Sequence, residues 1–214
     1  MSTHRDVYGE ALAEYFEKEE LSSPLLLHST YGDIEEMPLE VFFRDSEDFP
    51  ELEFIALSLC DGKVLDVGAG VGAHALYLQE KKFDVTALEI SQTACNIMQQ
   101  RGVQKIVQQD FFDLADQQYD TLLFLMNGIG LAGSLDGFSE LLTHSKKLLS
   151  EKGQLLFDSS DISYLYDEYR IQRPEYYFGE IGYQYEFNGI KGEPFKWLYL
   201  DQKTLIKVAH EEGW

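Results

Sequence analysis

The segment VLDVGAGVGAHAL, Val64 to Leu76, carries the clearest chemistry of the chain: an apolar strand-like run enters a glycine-rich turn that opens a helical period. Glycine at Gly68 and Gly70 lets the backbone turn sharply and lets a ligand approach without meeting a Cβ. The helix start beyond the turn offers unpaired N–H groups to an anionic part of that ligand. Gly68, Gly70 and Ala73 also satisfy the G-x-G-x-x-A dinucleotide fingerprint, so NAD-linked hydride transfer is one reading. Three acids favour another. Asp66, two residues before Gly68, is placed to accept from an ammonium group and to repel a pyrophosphate. Glu89 ends the next strand, where a carboxylate grips ribose hydroxyls. Asp110 follows the third strand with Phe111 beside it, placed to accept from an adenine amino group while the ring covers the base.

Further candidates surround this group. His74, in the helix that begins at the glycines, can face the ligand or act as a base, or simply cap the helix surface. Asn127 follows a continuous apolar run and can orient a ligand's amino-acid end or an acceptor, or serve as a turn residue. Arg44 is a lone cation in an acidic segment and suits either a carboxylate clamp or a surface ion pair. Tyr31, in HSTYGD, can close over a bound ligand. Asp158 and Asp161 could hold a basic acceptor or a metal, but ordinary strand-end chemistry accounts for them, and His4, His28, His144 and His210 show no metal-ligand spacing. No metal is expected.

The elements that must position these residues alternate between short apolar runs and helical periods, the pattern of a parallel sheet covered by helices. Strands are predicted at Lys63 to Val67, Phe83 to Leu88, Lys105 to Gln108, Tyr119 to Met126 and Gln154 to Asp158. Helices are predicted over Gly70 to Glu80, after Ser91 as N-cap and up to Gly102, and along Phe138, Leu141, Leu142, Leu148 and Leu149, with Gly153 as a turn. Upstream, Asp6 caps an amphipathic helix through Tyr8, Ala11, Leu12, Tyr15 and Phe16. The stretch LSSPLLLHSTYGDIEEMP reads as a loop, and a second helix starts with Pro50 as its first residue. Between Tyr164 and Tyr199 stand twelve aromatic residues. Tyr183, Tyr185 and Phe187 alternate, as do Phe195, Trp197 and Tyr199, which predicts a β-hairpin that serves as a substrate cap, a small core of its own or a homodimer interface. The tail KTLIKVAHEEGW is helical. This divides the chain into an N-terminal helical lid, 1–61, and a ligand-binding domain, 62–214, with an insertion at about 161–200.

Across 214 residues, 38 Asp and Glu oppose 17 Lys and Arg, a net charge of -21 that opposes counterion-driven binding to nucleic acid. Residues 1–61 hold sixteen of the acids against Arg5, Lys18 and Arg44. This is the composition of a solvated face or of a lid that gathers cations. Cys60 and Cys95 are the only cysteines, which excludes a disulfide framework. No leader-like or membrane-spanning run occurs, so the expected setting is cytoplasmic, with neither membrane nor nucleic acid as partner.

Taken together, the motifs resemble those of class I S-adenosylmethionine (SAM) dependent methyltransferases over roughly residues 51–160. The run Asp66, Val67, Gly68, Ala69, Gly70, Val71, Gly72 is similar to the family's glycine motif, Glu89 to its ribose acid and Asp110 to its adenine-side acid. The run LLFLMNGIGLAG with Asn127 resembles the motif near the transferred methyl. The resemblance implies a doubly wound, mostly parallel Rossmann-like sheet of strand order 3-2-1-4-5-7-6. It also implies that Ile90 packs on adenine, that SAM is the cofactor and S-adenosyl-L-homocysteine the product, and that direct methyl transfer to a small-molecule acceptor is the activity. A non-catalytic SAM-binding scaffold and aminopropyl transfer from decarboxylated SAM use the same architecture. In that family a helix similar to KTLIKVAHEEGW is followed by an antiparallel strand pair. That pair is expected to be absent here, from a truncated chain or one whose sheet closes differently.

Overall fold

A computed structural model of the protein describes residues 5–32, 34–168 and 171–214. Helix α1, Val7–Lys18, starts where expected because the Asp6 carboxylate accepts from the Gly9 N–H. The stretch read as a loop instead contains strands β1, Leu26–Ser29, and β2, Glu35–Glu36. Local sequence could not show this, because β1 is held by pairing with a strand far along the chain. After the short α2, Glu40–Phe43, helix α3 spans Glu51–Ser58, with Pro50 at its N-cap rather than as its first helical residue.

The alternating region then follows: β3 Lys63–Val67, α4 Ala73–Glu80, β4 Asp84–Glu89, α5 Gln92–Arg101, β5 Ile106–Gln108, β6 Tyr119–Phe124, α6 Leu135–Leu148 and β7 Leu149–Phe157. All pairings in this sheet are parallel, in the order β5-β4-β3-β6-β7, the doubly wound arrangement expected. Ser91 and Gly102 bound α5 as read from the sequence, with Ser91 Oγ accepting from the Ala94 N–H. Strand β7 begins earlier than predicted. Leu149 belongs to it rather than to the helix, and Gly153 lies within it where the register against β6 shifts, rather than in a turn between helix and strand.

Past α7, Ser163–Glu168, the aromatic stretch forms β8 Glu180–Phe187, β9 Ile190–Lys191 and β10 Phe195–Leu198, before α8, Gln202–Glu211. Strand β8 pairs antiparallel with β10, β9 and β1, and β1 pairs with β2, so a second sheet joins the predicted hairpin to the N-terminal segment. Its rings find partners within the chain: Tyr185 stacks on Tyr8 of α1 and on Phe195, at 5.2 Å in each case.

The main core, around Leu65, Leu122, Phe124 and Phe138, lies between the parallel sheet and α6, and Leu198 and Leu200 extend it to the second sheet. No helix among the described residues is long and apolar enough to cross a membrane.

Candidate functional site

The carboxyl ends of β3 and β4 build the centre of the site. Gly68, Gly70 and Gly72 have φ of 69°, 55° and 88°, values that side-chain-bearing residues rarely adopt. The three are not equivalent. A Cβ on Gly68 or Gly70 would meet nothing within 4 Å, whereas one on Gly72 would lie 2.8 Å from Val103 Cγ2. The first two glycines thus open a cradle, and the third lets α4 pack against the α5 to β5 connection. Hydrogen bonds from Gly68 N and Ala69 N to Leu88 O, and from Arg101 Nη1 to Val71 O, pin the loop to β4 and α5. Helix α4 follows Gly72, which offers no side-chain cap; the Ala75 N–H of its first turn goes to the Asp66 carboxyl, and those of Ala73 and His74 are the ones left for a ligand.

Glu89 is 8% exposed and accepts from three backbone N–H groups, Gly70 on Oε2 and both Ile90 and Ser91 on Oε1. Burial pushes its carboxyl up, and these donors only partly offset the effect. Two acceptor positions on each oxygen leave one free on Oε2. Asp66 is more deeply enclosed, at 2% exposure, and its Oδ2 has no partner among the described residues. Burial raises its carboxyl as well, against the pull of the nearby His74 and of the Ala75 N–H that it accepts. A buried, unpaired carboxylate oxygen beside an open glycine cradle fits a ligand that brings its own cation there.

Ile90 stands 66% exposed at the end of β4, a bare apolar platform. Asp110, at the end of the neighbouring β5, is exposed and accepts from the Phe112 N–H through Oδ1, which leaves Oδ2 to solvent. Phe111 does not accompany it. That ring is 4% exposed and enclosed by Phe112, Phe124 and His144, so the expectation that it covers a base is corrected to a core role. An apolar ring beside a strand end is drawn into the core whenever the sheet leaves room for it.

On the other side of β3, Met126 and Asn127 both take positive φ, 57° and 56°. Two consecutive left-handed residues that are not glycine store strain, of the kind concentrated where a side chain must be aimed. Asn127 gives Nδ2–H to Leu198 O, donates its backbone N–H to Asp158 Oδ2, and keeps Oδ1 buried without a partner among the described residues. His74 is 7% exposed, with Nε2 2.7 Å from Glu53 Oε2. Arg44 Nη2 lies 2.9 and 3.2 Å from the two Glu53 oxygens and 3.5 Å from Met126 Sδ. Arg44 is therefore bound to Glu53, which takes it from the role of a free clamp. Burial works to raise the Glu53 carboxyl, but the hydrogen bonds from His74 and Arg44 outweigh it, and Glu53 lies below its ordinary value.

Glu53 was not legible as a site residue. Leu52, Ile55 and Leu59 look like the core-facing stripe of α3 yet are 50% to 60% exposed, while Glu53 and Leu57, one turn apart, face inward. The only signal was an acid on the face of Leu57. Tyr31 lies against the second sheet; its hydroxyl is 3.3 Å from that of Tyr183, which in turn is 3.2 Å from Tyr199. Tyr199 stands between Leu198 and Leu200, whose carbonyls accept from Asn127 and Ser159, so this phenol row is anchored to the ends of β6 and β7. Among the described residues, no group of three or more His, Cys, Asp or Glu is placed to hold a metal ion.

Comparison with known proteins agrees with this geometry. A family model described as a methyltransferase domain matches residues 64–153. YqeM of Bacillus subtilis (strain 168), which bears a methyltransferase name, is 28% identical over 103 residues; the match spans 45% of this chain and 42% of that protein. The fold is shared with the CcbJ methyltransferase of Streptomyces caelestis, at 15% identity and a TM-score of 0.63 over 97% of this chain and 86% of that one. A SAM-dependent methyltransferase of Bacteroides fragilis, solved in complex with S-adenosyl-L-homocysteine, superposes with a TM-score of 0.89 and is 36% identical, covering all of this chain and 88% of that one. With the glycine cradle, the two acids and this match over its whole length, the chain belongs to the SAM-dependent methyltransferase family.

Proposed function

We propose that the protein transfers a methyl group from SAM to a small-molecule acceptor. The observation that carries this reading is the unpartnered Asp66 oxygen beside the open space over Gly68 and Gly70. Asp66 takes the cofactor's ammonium. Gly68, Ala69, Gly70 and the uncapped start of α4 cradle its amino-acid end, with Gly72 setting the helix direction. Glu89 accepts one ribose hydroxyl in the last free position on Oε2. Ile90 supports the adenine, and Asp110 accepts from its amino group. Asn127 stands between cofactor and acceptor.

When bound, SAM supplies an electrophilic methyl whose transfer depends mainly on alignment, worth roughly 7 to 11 kcal/mol of the barrier when donor and acceptor are oriented. The protein's part is to orient both and to exclude water. The second sheet supports that part, since Trp197 lies over Gly130, just past Asn127, so closely that a Cβ there would sit 2.0 Å from Nε1. Residues 1–61 and the insertion at about 161–200 act together as the lid of the domain 62–214, and the protein works in the cytoplasm. NAD-linked hydride transfer falls with the family assignment.

Calorimetric titration with SAM, S-adenosylhomocysteine and NADH tests the reading. Micromolar binding of the first two, without the third, is the expected result. Binding of NADH alone overturns it.

A further inference from the structure

Beyond Asp66, two buried oxygens that can only accept have no donor among the described residues: Asp158 Oδ1, at the end of β7, and Asn127 Oδ1, beside it. The two residues are tied together, Asp158 Oδ2 accepting the Asn127 N–H at 2.7 Å, so their free oxygens belong to one small region. Oxygens that can only accept call for a ligand that donates, and an anionic or purely accepting acceptor would meet repulsion there. Arg44, which binds Glu53, also reaches Met126 Sδ, next to Asn127, at 3.5 Å, so the Glu53–His74 pair stands beside this region. Burial pushes the Asp158 carboxyl up, the backbone N–H groups of Asn127 and of Asp158 itself draw it down, and the charges of Glu53 and His74 add smaller pushes in opposite directions. Glu53, held ionised by Arg44, accepts from His74 Nε2–H, which leaves Nδ1 as the nitrogen able to take a proton.

We propose that Asp158 and Asn127 hold the methyl acceptor as an amine, and that His74, positioned by Glu53 and Arg44, removes the proton that the bound ammonium must lose. This rests on the methyltransferase reading above. One N–H proton of the ammonium passes to His74 Nδ1. The freed nitrogen lone pair forms the new N–C bond as the C–S bond breaks with its electron pair going to sulfur. The products are the methylated ammonium, neutral S-adenosylhomocysteine and a proton that His74 returns to solvent. His74 is then a catalytic residue and Glu53 a positioning residue.

The test uses the full chain, with methyl-labelled SAM and the probes benzylamine and cyclohexylamine beside benzyl alcohol, cyclohexanol and benzoate. Label transfer is read together with calorimetric binding of each probe to the S-adenosylhomocysteine complex. Amines alone should bind and take label. Asp158→Asn should raise the amine KM by about tenfold or more, the loss of one charged hydrogen bond, without changing S-adenosylhomocysteine affinity. Glu53→Gln should instead lower kcat by about a hundredfold with little change in KM, the signature of an impaired base. Label on the alcohols or benzoate with the amines silent overturns the proposal. So does failure of both amines to bind or react with wild-type protein that binds S-adenosylhomocysteine, or wild-type kinetics in both variants. The wild-type probe binding stands even where a variant does not fold. Failure of S-adenosylhomocysteine itself to bind would instead remove the methyltransferase reading.

Discussion

The two sheets of this protein are built on opposite plans. In the parallel sheet, the residues that form the site are near neighbours in sequence: Gly70 N–H reaches Glu89 across 19 positions. In the antiparallel sheet, His28 Nε2 meets Glu186 Oε2 across 158. The first plan makes a cofactor site that a short motif can encode. The second draws its strands from both flanks of that motif, so no short stretch of sequence encodes it. Substitutions in the first sheet should therefore strike cofactor binding, and those in the second should leave it alone.

The largest effect is expected inside the glycine loop, where its members should separate. Gly72→Val combines left-handed strain of about 1 to 2 kcal/mol with the clash against Val103, a further 1 to 3 kcal/mol or so, and denaturant unfolding should register the sum. Gly68→Ala should cost only the strain in stability while weakening SAM binding, because its Cβ enters the cradle. Equal losses in both variants would erase the distinction between the packing glycine and the open one.

Glu89→Ala should weaken SAM by about 1 to 3 kcal/mol, with part of the loss arising from the orphaned Gly70, Ile90 and Ser91 N–H groups. Unchanged affinity in calorimetry would remove Glu89 from the ribose.

Asp66→Asn should act in opposite directions on folding and on binding. Burial raises the Asp66 carboxyl in the folded chain, so the unfolded chain gives up its proton first and stability falls as pH climbs above the ordinary carboxylate range. The variant should therefore raise the melting temperature of the free protein at neutral pH, with the gain vanishing at pH values low enough to protonate the unfolded chain. Its SAM affinity should fall. A melting temperature below wild type at pH 7 would mean that Asp66 is not a destabilising charge held for its ligand.

The smallest effect belongs to the second sheet. Tyr183→Phe removes the hydroxyl between those of Tyr31 and Tyr199, at about 0.5 to 1.5 kcal/mol of stability, and should leave SAM affinity at the wild-type value. A loss of cofactor binding would join the two sheets functionally.

These contrasts also explain what the sequence revealed. The parallel strands, the caps Asp6 and Ser91, the stop at Gly102 and the cradle at Gly68 and Gly70 depend on residues within a few positions of one another. Strand β1 depends on Tyr183, Gln184, Tyr185 and Glu186, and so it read as a loop. Phe111 misled because an aromatic beside a motif acid looks like a stacking ring until the core claims it. Glu53 stayed hidden because α3 exposes the apolar stripe that normally marks a buried face.

The long reach of β1 to β8 also sets a schedule for synthesis. Relative to the 19-position contact of the glycine loop, closing a 158-position loop costs about 2 kcal/mol more in chain entropy, which places that pairing late in folding. A ribosome adding roughly 5 to 20 residues per second makes Leu26 to Ser29 wait on the order of ten seconds or more for their partner. During that interval Leu27, buried in the finished protein, sits on a strand whose β8 edge is open, with the short β2 on its other side; Glu19, Glu20, Glu35 and Glu36 flank it, and their charge opposes pairing between nascent chains.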